Sequence, residues 1–199
     1  MELGADALGC ICTPASARYR TPEQISAIFA DLPPYITRVA VVLNPEPQLL
    51  KRLGECPLDC IQFHGDESPE LIAQSPLPWY KAVKGDAGYR QALRLYPHSP
   101  ALLVDSPAGG GSGRPWDWSL LHPPGKREKP LILAGGLTPD NVAEAIATVR
   151  PWAVDVAGGV EAVSTAGSKA GSKTAPGVKD PALMRDFLQA IGNRECGAR

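Results

Sequence analysis

Continuous apolar runs of four to seven residues recur along the chain, separated by stretches that mix polar and apolar positions. Runs that are continuous rather than alternating are typical of strands covered on both faces. We predict strands over seven of them, at residues 7–12, 38–43, 58–64, 79–83, 101–105, 131–134 and 152–156. Strands that alternate with helices indicate an α/β fold with a parallel sheet and right-handed crossovers.

A repeated signal marks the helices between these strands, namely a short polar residue followed directly by proline. The pairs are Thr21-Pro22, Asn44-Pro45, Ser68-Pro69, Thr138-Pro139 and Asp180-Pro181. The polar side chain caps a helix N-terminus, and the fixed φ of proline suits the first helical position. Apolar residues at helical spacing follow each pair. This pattern accounts for much of the total of 21 prolines, so the proline content does not indicate disorder.

The composition is that of an ordinary globular protein. The 199 residues carry a net charge of −1 and are 44% hydrophobic. We assign residues 1–199 to a single domain and expect the Ser- and Gly-rich residues 162–176 to form a flexible loop. The balanced charge gives no basic surface for nucleic acid or an anionic membrane, and no apolar stretch approaches the ~18 residues of a membrane span.

The cysteines and the first residues bear on the compartment. Five cysteines are scattered without a paired framework, which is typical of a reducing cytoplasm. We interpret them as small buried side chains and expect no metal site. The N-terminus has neither a basic region nor an apolar stretch of the secretory kind, which also favours the cytoplasm.

Two glycine pairs follow the last two predicted strands. Gly135-Gly136 follow residues 131–134, and Gly158-Gly159 follow residues 152–156. Glycine lets backbone N–H groups approach an anion closely, and a nearby helix N-terminus adds a favourable dipole. Loops after the last two strands form the phosphate site common to barrel enzymes. The pairs therefore favour a phosphate site, with simple strand-to-helix turns as the alternative.

One carboxylate ends the most apolar predicted strand. Asp105 follows the run at residues 102–104 and precedes a glycine-rich stretch at 109–113. The C-terminal end of a parallel strand is where active sites form in α/β proteins. We interpret Asp105 as a candidate catalytic acid, the alternative being that it caps the following loop.

Taken together and in order, these segments resemble the phosphoribosylanthranilate isomerases of tryptophan biosynthesis. The matching residues are 4–9, 16–19, 38–42, 44, 61–67, 103–106, 110–113, 116–118, 133–137, 150–156, 159–161 and 176–180. The resemblance implies a (β/α)8 barrel that performs an Amadori rearrangement on a small phosphorylated substrate. It implies no metal or organic cofactor, because the imine formed from the substrate is itself the electron sink. We expect a monomer or a homodimer.

The resemblance also assigns roles to single residues. Asp105 takes the place of the general acid that protonates the furanose ring oxygen, and burial would help it to keep a proton near neutral pH. Arg18 matches an arginine at the anthranilate side of the substrate, with a solvated loop charge as the alternative. His64 and Asp155 match substrate-binding positions. A histidine at a strand end is more often packed or hydrogen-bonded than an acid or base. We expect Asp155 to be a buried carboxylate in the middle of a strand, where it would need a partner. We predict that Lys81 is a buried ion-pair partner.

The chain departs from the family at its beginning. The family's first strand carries its general-base cysteine, and this sequence has no such segment, so Cys10 and Cys12 are not carried over as the base. We expect a barrel lacking its first strand and most of its first helix. A mis-assigned start is the favoured explanation over a shortened copy, because an open seam is costly for a barrel. The alternative function is an inactive phosphate-ligand binding barrel. A different barrel enzyme, such as indole-glycerol-phosphate synthase, ranks below both.

Overall fold

The computed structural model describes residues 3–107, 116–121, 127–162 and 177–192. Within them, seven strands alternate with six α-helices. The strands are β1 (Ala7–Ile11), β2 (Thr37–Val42), β3 (Cys60–Phe63), β4 (Trp79–Lys84), β5 (Leu102–Asp105), β6 (Leu131–Leu133) and β7 (Ala153–Val154). The helices are α1 (Pro22–Ala30), α2 (Pro47–Leu53), α3 (Pro69–Ile72), α4 (Gly85–Leu95), α5 (Val142–Val149) and α6 (Pro181–Gly192). The predicted α/β class and all seven strand positions are confirmed.

The chain divides into two compact units. The first unit consists of Ala5–Val83 and Ala87–Leu103. The second consists of Met1–Gly4, Lys84–Asp86 and Val104–Arg199. Within each unit the strands follow chain order. The first unit holds β1 to β4 and the first half of β5, and the second holds the rest of β5, β6 and β7.

The first unit is a parallel sheet covered by apolar helix faces. β1, β2, β3 and β4 pair in parallel, with Gly9 opposite Val39, Val41 opposite Gln62, and Gln62 opposite Tyr80. The helices contribute Ile25, Phe29, Leu50, Leu53 and Ile72 to its buried core. Because β2 and β3 are buried on both faces, their apolar runs are nearly continuous, as parallel strands require.

In the second unit, β6 and β7 are also parallel. α5 contacts α6 and the short 3₁₀ turn Trp118–Leu120, and α6 contacts a second 3₁₀ turn, Gly158–Val160. Leu131, Leu133, Val142 and Phe187 are buried in this core. None of the helices in the described part of the chain combines the length and apolar character that crossing a bilayer requires.

Three of the five predicted helix starts are confirmed. Thr21 and Gln24 form a reciprocal capping box at α1, Ser68 accepts the Leu71 N–H at α3, and Asp180 accepts the Ala182 N–H at 2.8 Å before α6. Each short polar side chain satisfies an N–H group that has no partner within its own helix.

Two predicted helix starts are wrong by two or more residues. Asn44 has a positive φ of 46°, and its side-chain oxygen accepts the Asp66 N–H. It therefore does not cap a helix, and α2 begins at Pro47 instead. After Thr138-Pro139 the chain makes a turn, and α5 begins at Val142. The sequence analysis also missed α4, whose buried face shows the helical spacing of Tyr89, Ala92 and Tyr96.

Candidate active site

Asp105 lies at the C-terminal end of β5 and is buried, with 4% of the residue exposed. Its Oδ1 accepts the N–H of Ser106 at 2.7 Å. The loop after β6 presses against it, because a Cβ atom added at Gly135 would lie 2.6 Å from Asp105 Oδ1 and would overlap the Ser106 nitrogen. Gly135 therefore permits the loop to touch the candidate acid, and the capping role considered as the alternative is present as well.

The loops that carry the two glycine pairs meet in the second unit. Gly135 and Gly136 both have positive φ, 88° and 72°, which disfavours any residue with a side chain. A Cβ added at Gly159 would overlap the carbonyl oxygen of Leu137, so the turn after β7 rests directly on the loop after β6. The two loops are therefore in contact, and the phosphate site expected at their glycine pairs stays a prediction.

The loop after β6 is held by Asn141. Its side-chain oxygen accepts the Thr138 N–H at 2.8 Å, and its amide donates to the Gly136 carbonyl at 2.9 Å. Because the Thr138 N–H is already hydrogen-bonded to Asn141, it is not available to bind an anion. The backbone around Gly135 and Gly136 remains the part of this loop that suits phosphate.

The turn Gly158–Val160 is fastened to the chain that precedes α6. The Lys179 ammonium group donates to the Ala157 carbonyl at 2.6 Å and lies 3.4 Å from Glu161 Oε1. The Glu161 side chain is fully buried, and its Oε1 also accepts the Gly177 N–H at 2.9 Å. A buried carboxylate with these partners fixes the turn's position.

Asp155 is exposed, and the expectation of a buried mid-strand carboxylate is wrong. β7 is only two residues long and ends at Val154, so Asp155 lies just beyond it. Its N–H donates to the Leu133 carbonyl at 2.8 Å, which fixes the backbone. Trp116 lies in the same unit, and its indole N–H reaches the Ala134 carbonyl at 3.4 Å.

In the first unit, Arg18 lies in the turn after β1 and is half-buried. Its N–H donates to the Ser16 hydroxyl at 3.1 Å, and the Tyr19 N–H donates to the Ser16 carbonyl at 3.0 Å. These bonds give the turn a defined backbone and place the guanidinium group after a strand end.

His64 follows β3 and is half-buried. Its Nδ1 lies 2.7 Å from the Gln62 amide nitrogen, and the Tyr80 hydroxyl donates to the Gln62 amide oxygen at 2.9 Å. The interpretation of a hydrogen-bonded strand-end histidine is confirmed. The sequence analysis missed Gln62 and Tyr80 as its partners. Gln62 lies two residues before His64 on the same predicted strand, and Tyr80 lies opposite Gln62 on the next strand.

The segment that carries His64 is anchored by the predicted ion pair. Lys81 Nζ lies 3.1 Å from Glu67 Oε2, and these side chains are 3% and 0% exposed. Lys81 also donates to the carbonyls of Phe63, Gly65 and Ala82 at 3.1, 2.7 and 2.8 Å. Burial lowers the pKa of Lys81, while Glu67 opposes that shift.

Cys10 and Cys12 are poor candidates for a general base. Burial raises the pKa of Cys10, and it raises that of the fully buried Cys12 to about 11. A thiol must lose its proton to act as a base, so both are disfavoured near neutral pH.

In the part of the chain that the structure describes, no group of three or more metal-ligating side chains gathers. The glycine-rich residues 109–113 and the predicted loop residues 163–176 lie outside the described residues.

The sequence model of N-(5'-phosphoribosyl)anthranilate isomerase matches residues 1–190. The chain belongs to this family. Among relatives of the isomerase family, a Pseudomonas fluorescens protein named N-(5'-phosphoribosyl)anthranilate isomerase is 43% identical over 194 residues, which cover 94% of this chain and 86% of the relative. A protein of the same name from Nitrosococcus oceani is 40% identical, over 96% of this chain and 89% of its own length.

Solved structures of the isomerase family share this fold. Phosphoribosyl anthranilate isomerase from Thermotoga maritima superposes with a TM-score of 0.82 at 37% identity, covering 97% of this chain and 91% of its own. A family member in complex with reduced 1-(o-carboxyphenylamino)-1-deoxyribulose 5-phosphate has a TM-score of 0.79 at 36% identity, with 96% and 90% covered. The predicted family membership and the predicted isomerase class of enzyme in tryptophan biosynthesis are confirmed.

Proposed function

We propose that this chain converts N-(5-phosphoribosyl)anthranilate to 1-(2-carboxyphenylamino)-1-deoxyribulose 5-phosphate, with Asp105 as the general acid. The observation that carries the proposal is a buried carboxyl group at a strand end, in direct contact with Gly135 of the first glycine pair. A proton donor beside a phosphate-binding backbone suits a phosphorylated sugar. The solved relative that holds a reduced form of the product supports the same substrate class.

The chemistry requires one proton donor and one proton acceptor. Asp105 gives a proton to the furanose ring oxygen as the C1–O bond breaks, and the nitrogen lone pair forms a C1=N bond. A base then removes the C2 proton, and the electron pair of that bond forms the enamine. Protonation at C1 and loss of the C2 hydroxyl proton give the ketone, so the product has the same atoms as the substrate. A positioned acid contributes about 10²–10⁴-fold to such a step.

Four glycines form the proposed phosphate site, Gly135 and Gly136 after β6 and Gly158 and Gly159 after β7. Positive φ values at the first pair, 88° and 72°, require glycine, and without side chains the backbone there is open to close approach by an anion. The close approach of Gly159 to Leu137 and Thr138 supports a phosphate site that the two loops share.

Three further side chains have proposed binding roles. The guanidinium group of Arg18 pairs with the anthranilate carboxylate. His64 donates a hydrogen bond to the substrate. The exposed carboxylate of Asp155 accepts one from a substrate hydroxyl, a role that exposure allows and that a buried position would have made costly.

The seven strands correspond to the second through eighth strands of a (β/α)8 barrel, in which residues 1–199 form one domain. The substrate is a small phosphorylated molecule, and neither nucleic acid nor a membrane takes part. The protein acts in the cytoplasm as a monomer or homodimer. A solved relative from Thermotoga maritima is described as a dimeric isomerase converted to monomers.

The experiment is a turnover assay in which substrate and product are separated by liquid chromatography. Asp105→Asn keeps an oxygen for the Ser106 N–H but removes the acidic proton, so we expect kcat to fall about 10²–10⁴-fold. The matched control is Asp186→Asn on the exposed face of α6, which should retain wild-type turnover. Full activity in Asp105→Asn would reject Asp105 as the acid. Tight binding of the reduced product by a wild-type protein that shows no turnover would favour the inactive binding barrel.

A further inference from the structure

Gln62 is a buried polar side chain at the centre of β3, 4% exposed among apolar neighbours. Side chains two apart on a strand share a face, so Gln62 and His64 point the same way while Phe63 points to the other side. Tyr80 lies opposite Gln62 in the parallel register of β3 and β4. A buried polar side chain lowers the stability of a protein unless its hydrogen bonds are made.

The carboxamide of Gln62 bridges Tyr80 and His64. The Tyr80 hydroxyl donates to Gln62 Oε1 at 2.9 Å, and the amide nitrogen on the other side of the carboxamide lies 2.7 Å from His64 Nδ1. An amide nitrogen can only donate. At this distance Nδ1 must therefore be the acceptor, because two N–H groups would otherwise face each other. A neutral imidazole that accepts at Nδ1 carries its proton on Nε2.

We propose that Gln62, oriented by Tyr80, is a positioning residue that holds His64 in the neutral Nε2–H tautomer. In this form His64 is a hydrogen-bond donor toward substrate rather than a proton acceptor. The inference rests on the proposed function for the role of His64, and it adds that the donor is Nε2 and that its state is imposed from β3 and β4.

The backbone around His64 supports this orientation. The His64 N–H donates to the Val42 carbonyl at 2.8 Å, and the Gly65 N–H donates to Glu67 Oε1 at 2.9 Å. Lys81 holds the Gly65 carbonyl at 2.7 Å. These bonds fix the main chain on both sides of His64. The bond to Gln62 then restricts the rotation of the imidazole ring.

The tautomer is read directly by NMR on protein labelled with ¹⁵N-histidine, with His64 assigned from a His64→Asn variant. We expect a pyridine-type signal for Nδ1 and a pyrrole-type signal for Nε2 at pH 8. Gln62→Glu puts a carboxylate opposite Nδ1 and should reverse the two signals. Tyr80→Phe frees the amide to rotate and should give a mixture of both tautomers. Gln48→Glu, the same substitution on the exposed part of α2, should change nothing.

The kinetic readout separates positioning from stability. Gln62→Glu should raise KM by about tenfold, the factor for a lost hydrogen bond to a partly charged group, with a smaller change in kcat. Tyr80→Phe should change KM in the same direction by less. A change in both constants by the same factor in Gln62→Glu would indicate a structural role only and would reject the proposal.

Failure of this inference is distinguishable from failure of the proposed function, because the NMR signals need no turnover. A protonated Nδ1 in the wild-type protein rejects the tautomer assignment whatever the activity. If the wild-type chain does not turn over, the affinity for the reduced product replaces KM, and an unchanged affinity in Gln62→Glu overturns the inference. Should Gln62→Glu fail to fold, unaltered signals in Tyr80→Phe overturn the orienting role.

Discussion

Replacement of Lys81 by methionine is the sharpest test of what supports the site in the first unit. Lys81 and Glu67 are both excluded from solvent, and the ammonium group has the Glu67 carboxylate and three backbone carbonyls within 3.1 Å. Methionine fills a similar volume but leaves a buried carboxylate without its cation. Breaking one partner of a buried pair costs about 3–5 kcal/mol. That is a large share of the about 5–15 kcal/mol by which a domain is stable.

The measurement is urea unfolding, followed by tryptophan fluorescence and circular dichroism. With a slope of about 2–3 kcal/mol per molar urea, the expected loss lowers the midpoint by about 1–2.5 M. Trp79 is a local reporter, because its ring meets Phe63 edge-on at 6.2 Å beside the pair. Lys51→Met, the same change at an exposed position of α2, should stay within about 0.5 kcal/mol of wild type.

The double variant Lys81→Met with Glu67→Gln isolates the charge. Glutamine keeps an oxygen for the two backbone N–H groups that Glu67 Oε1 accepts, from Asn44 and Gly65 at 2.9 Å each. We therefore expect the double variant to recover about half of the loss or more. If Lys81→Met shifts the midpoint by no more than Lys51→Met does, or if the two single losses simply add, the buried-charge explanation is wrong.

Three further outcomes are expected. Gly135→Ala should lower both turnover and the melting temperature, because its Cβ would overlap Ser106 at a positive φ; an unchanged melting temperature contradicts this. Hydrogen bonds from Arg38 hold the pKa of Asp59 at about 2, below its ordinary 3.8. A carboxyl group with a lowered pKa stabilises the fold above its unfolded pKa, so this stabilisation is present above about pH 4 and is lost as the pH falls toward 2. The difference in urea midpoint between wild type and Arg38→Gln should therefore be small near neutral pH and vanish over that range; a constant difference contradicts this. With its pKa near 11, Cys12 should react with iodoacetamide slowly at pH 7 and faster as the pH rises, measured by peptide mass spectrometry; fast labelling at pH 7 would refute its burial.

The strand positions could be predicted because most residues of each strand are apolar and form short continuous runs. Asp105 and the glycine pair at 135 and 136 could be placed for the same reason, since both lie at ends of such runs. Three helix starts followed from local chemistry alone, in which one side chain bonds to an N–H two or three residues on.

Long-range partners explain what local patterns could not predict. Asn44 looks like a cap in the sequence, but its oxygen is used by Asp66, 22 residues away. Asn141 ties back to Gly136 and so delays the start of α5. Gln62 appeared as one polar residue inside a strand, and its meaning depends on Tyr80 in the neighbouring strand. Such bonds are set by tertiary register, which a single sequence does not display.

The antiparallel bridge between Glu161 and Lys179 has a consequence for how this protein can vary. The Ala162 N–H donates to the Val178 carbonyl and the Asp180 N–H to that of Val160, both at 2.9 Å, so the chain leaves and re-enters the fold side by side. Residues 163–176 can therefore differ in number while the turn Gly158–Val160 keeps its place. We therefore expect a peptide tag or a short reporter inserted there to leave the turn in place, which offers a permissive point for engineering close to the proposed phosphate site.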